Sequence, residues 1–363
     1  MKAKGNPKSI KEKEYALELE ALREKIDSID KKIVDMLGKR MDVVREVGAL
    51  KRSQGAEVTD KGREDKVIEK WESLGKQANI PPGLAGSVVS AIFPYSKTQE
   101  VKSASPHNIC IVGYGAMAKV LAWAFINAGN HVVITGRNMK KAQQLSTAMK
   151  CSSAEIAPAI LESEYVVLAL PPAAFEDGFV EDISKYLRGK LVMDILSTKL
   201  EIFKKVSRIA KLGGFKYVST HPLFGSSAMP VGQKIVVISE RKPPGEAEKR
   251  VAELYSEIGI APLFASLDEH EMAMAIVQVV PHFITLSAAR AIEMLSKKYK
   301  IGYKRFSTPN FENVQKLIDG VKGNIEVVKE IQNFNAYADE ARKIAAIALS
   351  EEEKTWAKER NTK

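Results

Sequence analysis

Arg40 and Lys51 are cations placed where an apolar packing face should be. In "KIDSIDKKIVDMLGKRMDVVREVGALKR", Ile26, Ile29, Ile33, Leu37, Val44 and Val47 recur at helical spacing, and both cations fall on that stripe. The eleven-residue step from one to the other makes about three turns, so the two point the same way, about 16 Å apart. A cation on an apolar face costs roughly several kcal/mol unless it is paired. The stripe therefore calls for an anion, supplied either by a carboxylate on a neighbouring helix or by an acidic guest. Arg23 is rotated by roughly 100° from Arg40 and does not share its direction. "DKGRE" adds Asp60, which can cap a following helix, with Arg63 and Glu64 behind it.

A second group lies in "CIVGYGAMA", where Gly113, Gly115 and Ala118 follow an apolar strand and open a helix. This G-x-G-x-x-A form lets a pyrophosphate approach backbone at a helix N-terminus. The next strand ends at Thr135, Gly136 and Arg137. An acid at that strand end would bind ribose hydroxyls, whereas Arg137 can grip a 2′-phosphate bidentately, with Thr135 hydrogen-bonding nearby. NADP is thus the expected cofactor, ahead of NAD; the plainer alternative is that Arg137 is a solvated loop residue. A third candidate is His221 in "STHPLFG", extended before proline at a strand end, where doubly wound sheets hold their ligands.

The elements that must position these groups follow from periodicity. The 363 residues are 45% hydrophobic and 28% charged, enough for two or three ordinary domains. Residues 1–13 and 351–363 are charged and expected to fray. Residues 14–102 read as three helices, with breaks at "SQGAEVT" and "NIPPG", and 103–106 as a linker. From 107 to 266 short apolar strands alternate with helices, the pattern of a parallel α/β sheet. From 267 to 350 only helices remain. "MAMAIVQVVPHFITLSAA", with Gln278, Pro281 and His282 inside it, reads as a buried helix rather than a membrane span. The net charge of +10 is dispersed, which favours small anions over nucleic acid. Two cysteines form neither a disulfide framework nor a metal cluster, and the N-terminus lacks a signal peptide's apolar core; a cytoplasmic location is expected.

The first domain, "ALREKIDSIDKKIVDMLGKRMDVVREVGALKR…VTDKGRED…LGK…YSKTQE", resembles the all-helical chorismate mutase family at Arg23, Arg40, Lys51, Asp60, Arg63, Glu64 and Ser96. The resemblance implies a pocket in an intertwined dimer, with Arg23 reaching in from the partner chain. Arg23 and Arg40 would bind carboxylates, Lys51 the breaking ether oxygen and a carboxylate, and Glu64 the ring hydroxyl. Arg63, near Asp60 and Glu64, would organise that corner, and Ser96 shares a helix face with Glu100 one turn on. Glu100 stands where a glutamine usually donates to the ether oxygen, Gln99 being one residue off. A carboxyl donates only when protonated, so mutase activity should be highest at acidic pH.

The remainder, "GYGAMA…LALPP…DILSTK…HPLFGSS…DEHEMAMAIVQVVPHF", resembles the prephenate/arogenate dehydrogenase family. That likeness makes His221 the catalytic base, Ser197 the residue orienting it, and His282 a residue near the site; His270 is the weaker histidine candidate. The substrate carboxylates lack an arginine in the expected register, leaving Arg290, Arg305 or Lys322. The fold expected is α/β with all-α parts: a three-helix chorismate-mutase-like module, a Rossmann-type doubly wound parallel sheet and a C-terminal helical dimerisation domain. The function implied is chorismate to prephenate, then prephenate to 4-hydroxyphenylpyruvate with NADP, in a homodimer. The alternatives are an arogenate-preferring dehydrogenase, or an N-terminal module that only dimerises or senses an effector.

Overall fold

A computed structural model describes residues 7–54, 61–103 and 105–361. Two compact units divide the chain, Met1–Val101 and Lys102–Lys363.

The first unit is built from α1 (Pro7–Ser53), α2 (Lys61–Gln77) and α3 (Leu84–Glu100). At 1.5 Å per residue α1 is about 70 Å long, against about 25 Å for each of the others. Only its C-terminal part can lie on α3 within one chain. There the covered face runs through Leu37, Arg40, Met41, Val44, Gly48 and Lys51. Gly48 makes the contact possible, because a Cβ there would fall 2.5 Å from the Cα of Glu100. The rest of the expected packing stripe is uncovered: Ile26, Ile29 and Ile33 are more than half exposed. The sequence places them on one face correctly, but a single copy supplies nothing to cover it. Asp60 lies outside the described residues.

The second unit holds an eight-stranded sheet in the order β3-β2-β1-β4-β5-β6-β7-β8. Its strands are β1 (Asn108–Val112), β2 (His131–Thr135), β3 (Ser152–Ser153), β4 (Tyr165–Leu168), β5 (Leu191–Asp194), β6 (Lys216–Pro222), β7 (Lys234–Ile238) and β8 (Ala261–Ala265). Strands β1 to β6 are parallel. β7 reverses against β6, and β8 runs with β7. The reversal corrects the expectation of a wholly parallel sheet: no helix lies between Pro222 and Lys234 to carry the chain back across. Apolar strands pack against the flanking helices through Val112, Phe175, Val192 and Leu187. All six parallel strands end at one edge, and the order turns at β1 and β4, so Gly113, Ser197 and His221 share the ligand-binding edge.

Beyond β8 the chain is helical from Leu267 to Asn361. Both expected tails differ from expectation, since helix begins at Pro7 and continues to Asn361. The stretch expected to be a buried helix is also different. Leu267–Tyr299 is an unbroken helical run with a π turn at Ala275–Val279, and only 28% of its most apolar window is covered. Among the described residues it alone is long and apolar enough to cross a membrane. Ile276, Val277, Met294 and Leu295 stand exposed on it.

Candidate active sites

In the helical unit, the close approach at Gly48 brings the last turn of α3 against α1. Arg40 donates to the Ser96 hydroxyl at 2.5 Å, and Lys51 reaches Glu100 at 2.8 Å. Lys97, on the same turn, pairs with Glu64 of α2 at 2.7 Å. Cations and acids thus alternate over one face without separate burial of any charge, the condition that keeps such a cluster affordable in free energy. Partial burial lowers the Arg40 pKa, against the opposing pull of Glu100. Glu100, not Gln99, faces Lys51; Gln99 accepts instead from Arg45, on the exposed side. Arg63 is exposed. Arg23 is also exposed, pairs with Glu20, and lies about 25 Å along α1 from Arg40, so one chain does not bring the two arginines together. Lys97 escaped the sequence reading because a lysine in "YSKTQE" has no pattern to distinguish it.

In the second unit the dinucleotide loop fits its cofactor. Gly113 adopts φ 137°, and a Cβ there would meet the Ala169 carbonyl oxygen at 2.1 Å. At Gly115, ahead of α4 (Ala116–Asn127), a Cβ would meet nothing within 4 Å, leaving the helix N-terminus open to a pyrophosphate. Ala118 is buried beneath it. At the end of β2 the arrangement departs from expectation. Thr135 is fully buried and its hydroxyl donates to the Ala154 carbonyl, so it is not turned toward a phosphate. Arg137 is half exposed, ion-paired with Asp177 at 2.6 Å and stacked over Phe179. A Cβ at Gly136 would fall 2.9 Å from the Tyr114 ring, so an acid there would require that ring to move.

His221 ends β6 fully enclosed, its Nδ1 2.9 Å from Nε2 of His270. His270 opens the Leu267–Met274 helix, capped by Ser266, and its Nδ1 lies 3.3 Å from Glu271 Oε1. Glu271 Oε1 accepts a backbone bond from Lys199, whereas His270 Nδ1, although near it, makes no hydrogen bond. In the tautomer whose Nδ1–H is directed at His270, His221 presents a basic Nε2. Beneath it, buried Lys199 donates to Asp194 at 2.6 Å and to the Thr220 carbonyl at 2.6 Å, while Tyr217 donates to the other Asp194 oxygen. Burial, the His270 ring and the Lys199 charge together push the His221 pKa well below its ordinary value. The imidazole is a neutral base.

Ser197 is half-buried three residues beyond β5, on the same edge. His282 sits on the helical run with His270; its buried Nδ1 has no hydrogen-bond partner, and burial lowers its pKa. The carboxylate-binding candidates are placed elsewhere. Lys322 pairs with Glu293 at 2.8 Å, Arg305 lies over Phe306, and Arg290 is exposed. Among the described residues no hydrogen bond or ion pair joins any of the three to His221. The pairs His221–His270 and Lys199–Asp194 were missed as pairs. Nothing local announces them, since a strand end and a helix start 49 residues apart make the first.

Fold and sites define the class: a helical anion-binding module joined to an NAD(P)-type dehydrogenase. Three family models match in succession. They are "Chorismate mutase type II" over residues 22–101, "NADP oxidoreductase coenzyme F420-dependent" over 108–198, and "Prephenate dehydrogenase, dimerization domain" over 266–355. The T-protein of Enterobacter agglomerans is 26% identical over 277 residues, 74% of this chain and 69% of its own. A probable arogenate/prephenate dehydrogenase of Methanocaldococcus jannaschii is 25% identical over 62% of this chain and 51% of its own. The fold matches prephenate dehydrogenase from A. aeolicus, solved with hydroxyphenyl propionate and NAD+, at a TM-score of 0.59 and 18% identity over 72% of this chain and 94% of that one. Residues 22–101 thus match a chorismate mutase type II domain, and residues 266–355 a prephenate dehydrogenase dimerization domain.

Proposed function

We propose that the helical unit rearranges chorismate to prephenate and that the second unit oxidises and decarboxylates prephenate to 4-hydroxyphenylpyruvate, with NADP+ as acceptor. The observation that carries this reading is the neutral, enclosed His221 at the nucleotide edge of a chain that also gathers Arg40, Lys51 and Glu64 around one helical turn. The product of the first reaction is the substrate of the second.

The rearrangement needs no nucleophile, only a compact conformer and charge stabilisation at the breaking ether oxygen. The internal pairs occupy the positions that the substrate would take over. Arg40, steadied by Ser96, binds a carboxylate; Lys51 turns from Glu100 to the ether oxygen and a carboxylate; Glu64 releases Lys97 and accepts from the ring hydroxyl. Glu100 faces the ether oxygen, to which a carboxyl donates only when protonated. Arg23 comes from a second copy, whose approach also covers Ile26, Ile29 and Ile33. Asp60 and Arg63 border this corner.

In the second unit, Nε2 of His221 accepts the proton of the ring hydroxyl, with Ser197 orienting that group. A bound nicotinamide would supply the hydride acceptor for the carbon that bears this hydroxyl. Loss of the ring carboxylate as CO₂ makes the ring aromatic, and His221 returns the proton to the oxygen. The hydrogen bond between its Nδ1 and His270 supports the tautomer that does this. His282 lines the approach, and Arg290 or Arg305, delivered by a second copy, supplies the missing carboxylate partner. Arg137 favours NADP, and Lys141, placed over Tyr114, adds a second cation at that corner. A homodimer covers the exposed Leu267–Tyr299 face, as the dimerization family would require.

Purified chain given prephenate and NADP+ should release one CO₂ per NADPH, with arogenate turning over more slowly. Equal or faster turnover of arogenate would reverse the substrate assignment.

A further inference from the structure

The end of β2 carries a cation that is already engaged. Arg137 Nη1 lies 2.6 Å from Asp177 Oδ2, and its guanidinium rests 5.0 Å above the Phe179 ring. Asp177 is itself anchored: its other oxygen accepts the Phe179 backbone N–H at 3.1 Å, across the turn at Gly178. Position 136 carries no acid, and the Tyr114 ring lies 2.9 Å from where a side chain there would begin. The acid at this corner therefore comes from the loop beyond β4, 40 residues from the arginine it meets. The Arg137 hydrogen bond holds the Asp177 carboxyl below its ordinary pKa, so it remains an anion at neutral pH.

We infer that Asp177 sets how strongly this site prefers a 2′-phosphorylated nucleotide, by holding Arg137 in an ion pair that the phosphate must displace. The inference rests on the reading of Arg137 as the 2′-phosphate ligand. A 2′-phosphate arriving at this corner meets a guanidinium whose charge is already matched. It must either part the pair or sit beside a carboxylate that repels it. A nucleotide with a free 2′-hydroxyl makes no such demand. Asp177 thus lowers affinity for NADP+ while leaving NAD+ almost untouched, and it keeps the guanidinium flat on Phe179, ready for the exchange.

The test is equilibrium binding of NADP+ and NAD+, and of the fragments 2′,5′-ADP and 5′-AMP, to the full chain carrying Asp177→Asn or Arg137→Gln. Asparagine keeps an acceptor for the Phe179 N–H and removes only the charge. Asp177→Ser is a second variant that keeps an acceptor, and it carries the same expectation. Loss of the charge should tighten NADP+ and 2′,5′-ADP by roughly three- to tenfold, with NAD+ and 5′-AMP changed less than about twofold. Arg137→Gln should weaken the 2′-phosphorylated pair by about tenfold or more. If Arg137→Gln leaves NADP+ affinity unchanged, the NADP reading falls and this inference with it. If Arg137→Gln weakens NADP+ while both Asp177 variants leave it unchanged or weaken it, the inference about Asp177 alone is overturned.

Discussion

The two sites sit at opposite ends of a scale of burial. On α3 the charged groups are part-exposed and satisfy one another, Lys51 with Glu100 and Lys97 with Glu64. At the end of β6, His221, His270, Glu271, Lys199 and Asp194 are all almost fully enclosed. The chemistry proposed for each accounts for the difference. A pericyclic shift asks only for fixed charges around a dianion, and ion pairs that open for a guest can supply these on helices near solvent. Proton transfer coupled to hydride loss asks for a base held neutral, which requires desolvation and therefore the interior of a sheet. The first site is completed by exchange of partners, the second by packing.

Replacing His221 by Asn should break the comparison most severely. Dehydrogenase kcat should fall by about 10²- to 10⁴-fold, while chorismate consumption is unchanged when each reaction is assayed alone. Lys51→Met should do the reverse, with a loss of roughly 10²- to 10³-fold in mutase kcat/KM and normal oxidation of added prephenate. If either variant damaged both activities equally, the two sites would not be separate machines. Glu100→Gln should sharpen the picture of the helical site. An amide donates at any pH, so the decline in mutase rate with rising pH should flatten. A profile identical to the unmodified protein would return the ether-oxygen role to Gln99.

His270→Gln should have the smallest effect, confined to the acidic limb of the dehydrogenase profile. His221 has a depressed pKa, so its neutral form, and with it activity, persists to lower pH than an ordinary imidazole allows. Removing the second ring removes part of that depression. The limb should move toward neutral pH while kcat at its plateau changes little; an unmoved limb would assign the depression to burial and Lys199 alone.

Much of this was legible in the sequence because it depends on local period. Arg40 and Lys51 share a face by helical arithmetic, and Gly113 with Gly115 needs only the strand before and the helix after. What was hidden depends on contacts between distant segments. His270 reads as an ordinary helix start until β6 places His221 against it. Lys199 looks like any lysine after a serine and threonine until burial forces it onto Asp194. Arg137 was found, but not the Asp177 that holds it. Edge strand β8, "APLFA", is largely exposed and carries a proline where the inner strands run through Val, Ile and Leu. The apolar faces of α1 and Leu267–Tyr299 were legible as more than one copy can bury, but not which parts one chain leaves uncovered, since composition does not distinguish a face covered within one chain from one covered by a second copy.

The central claim, that one chain makes prephenate and then consumes it, is tested most directly by supplying chorismate alone. Chorismate should disappear without nucleotide, and later addition of NADP+ should give NADPH in a one-to-one ratio to the chorismate consumed. Chorismate left intact, or NADPH formed only when prephenate is added from outside, would contradict it.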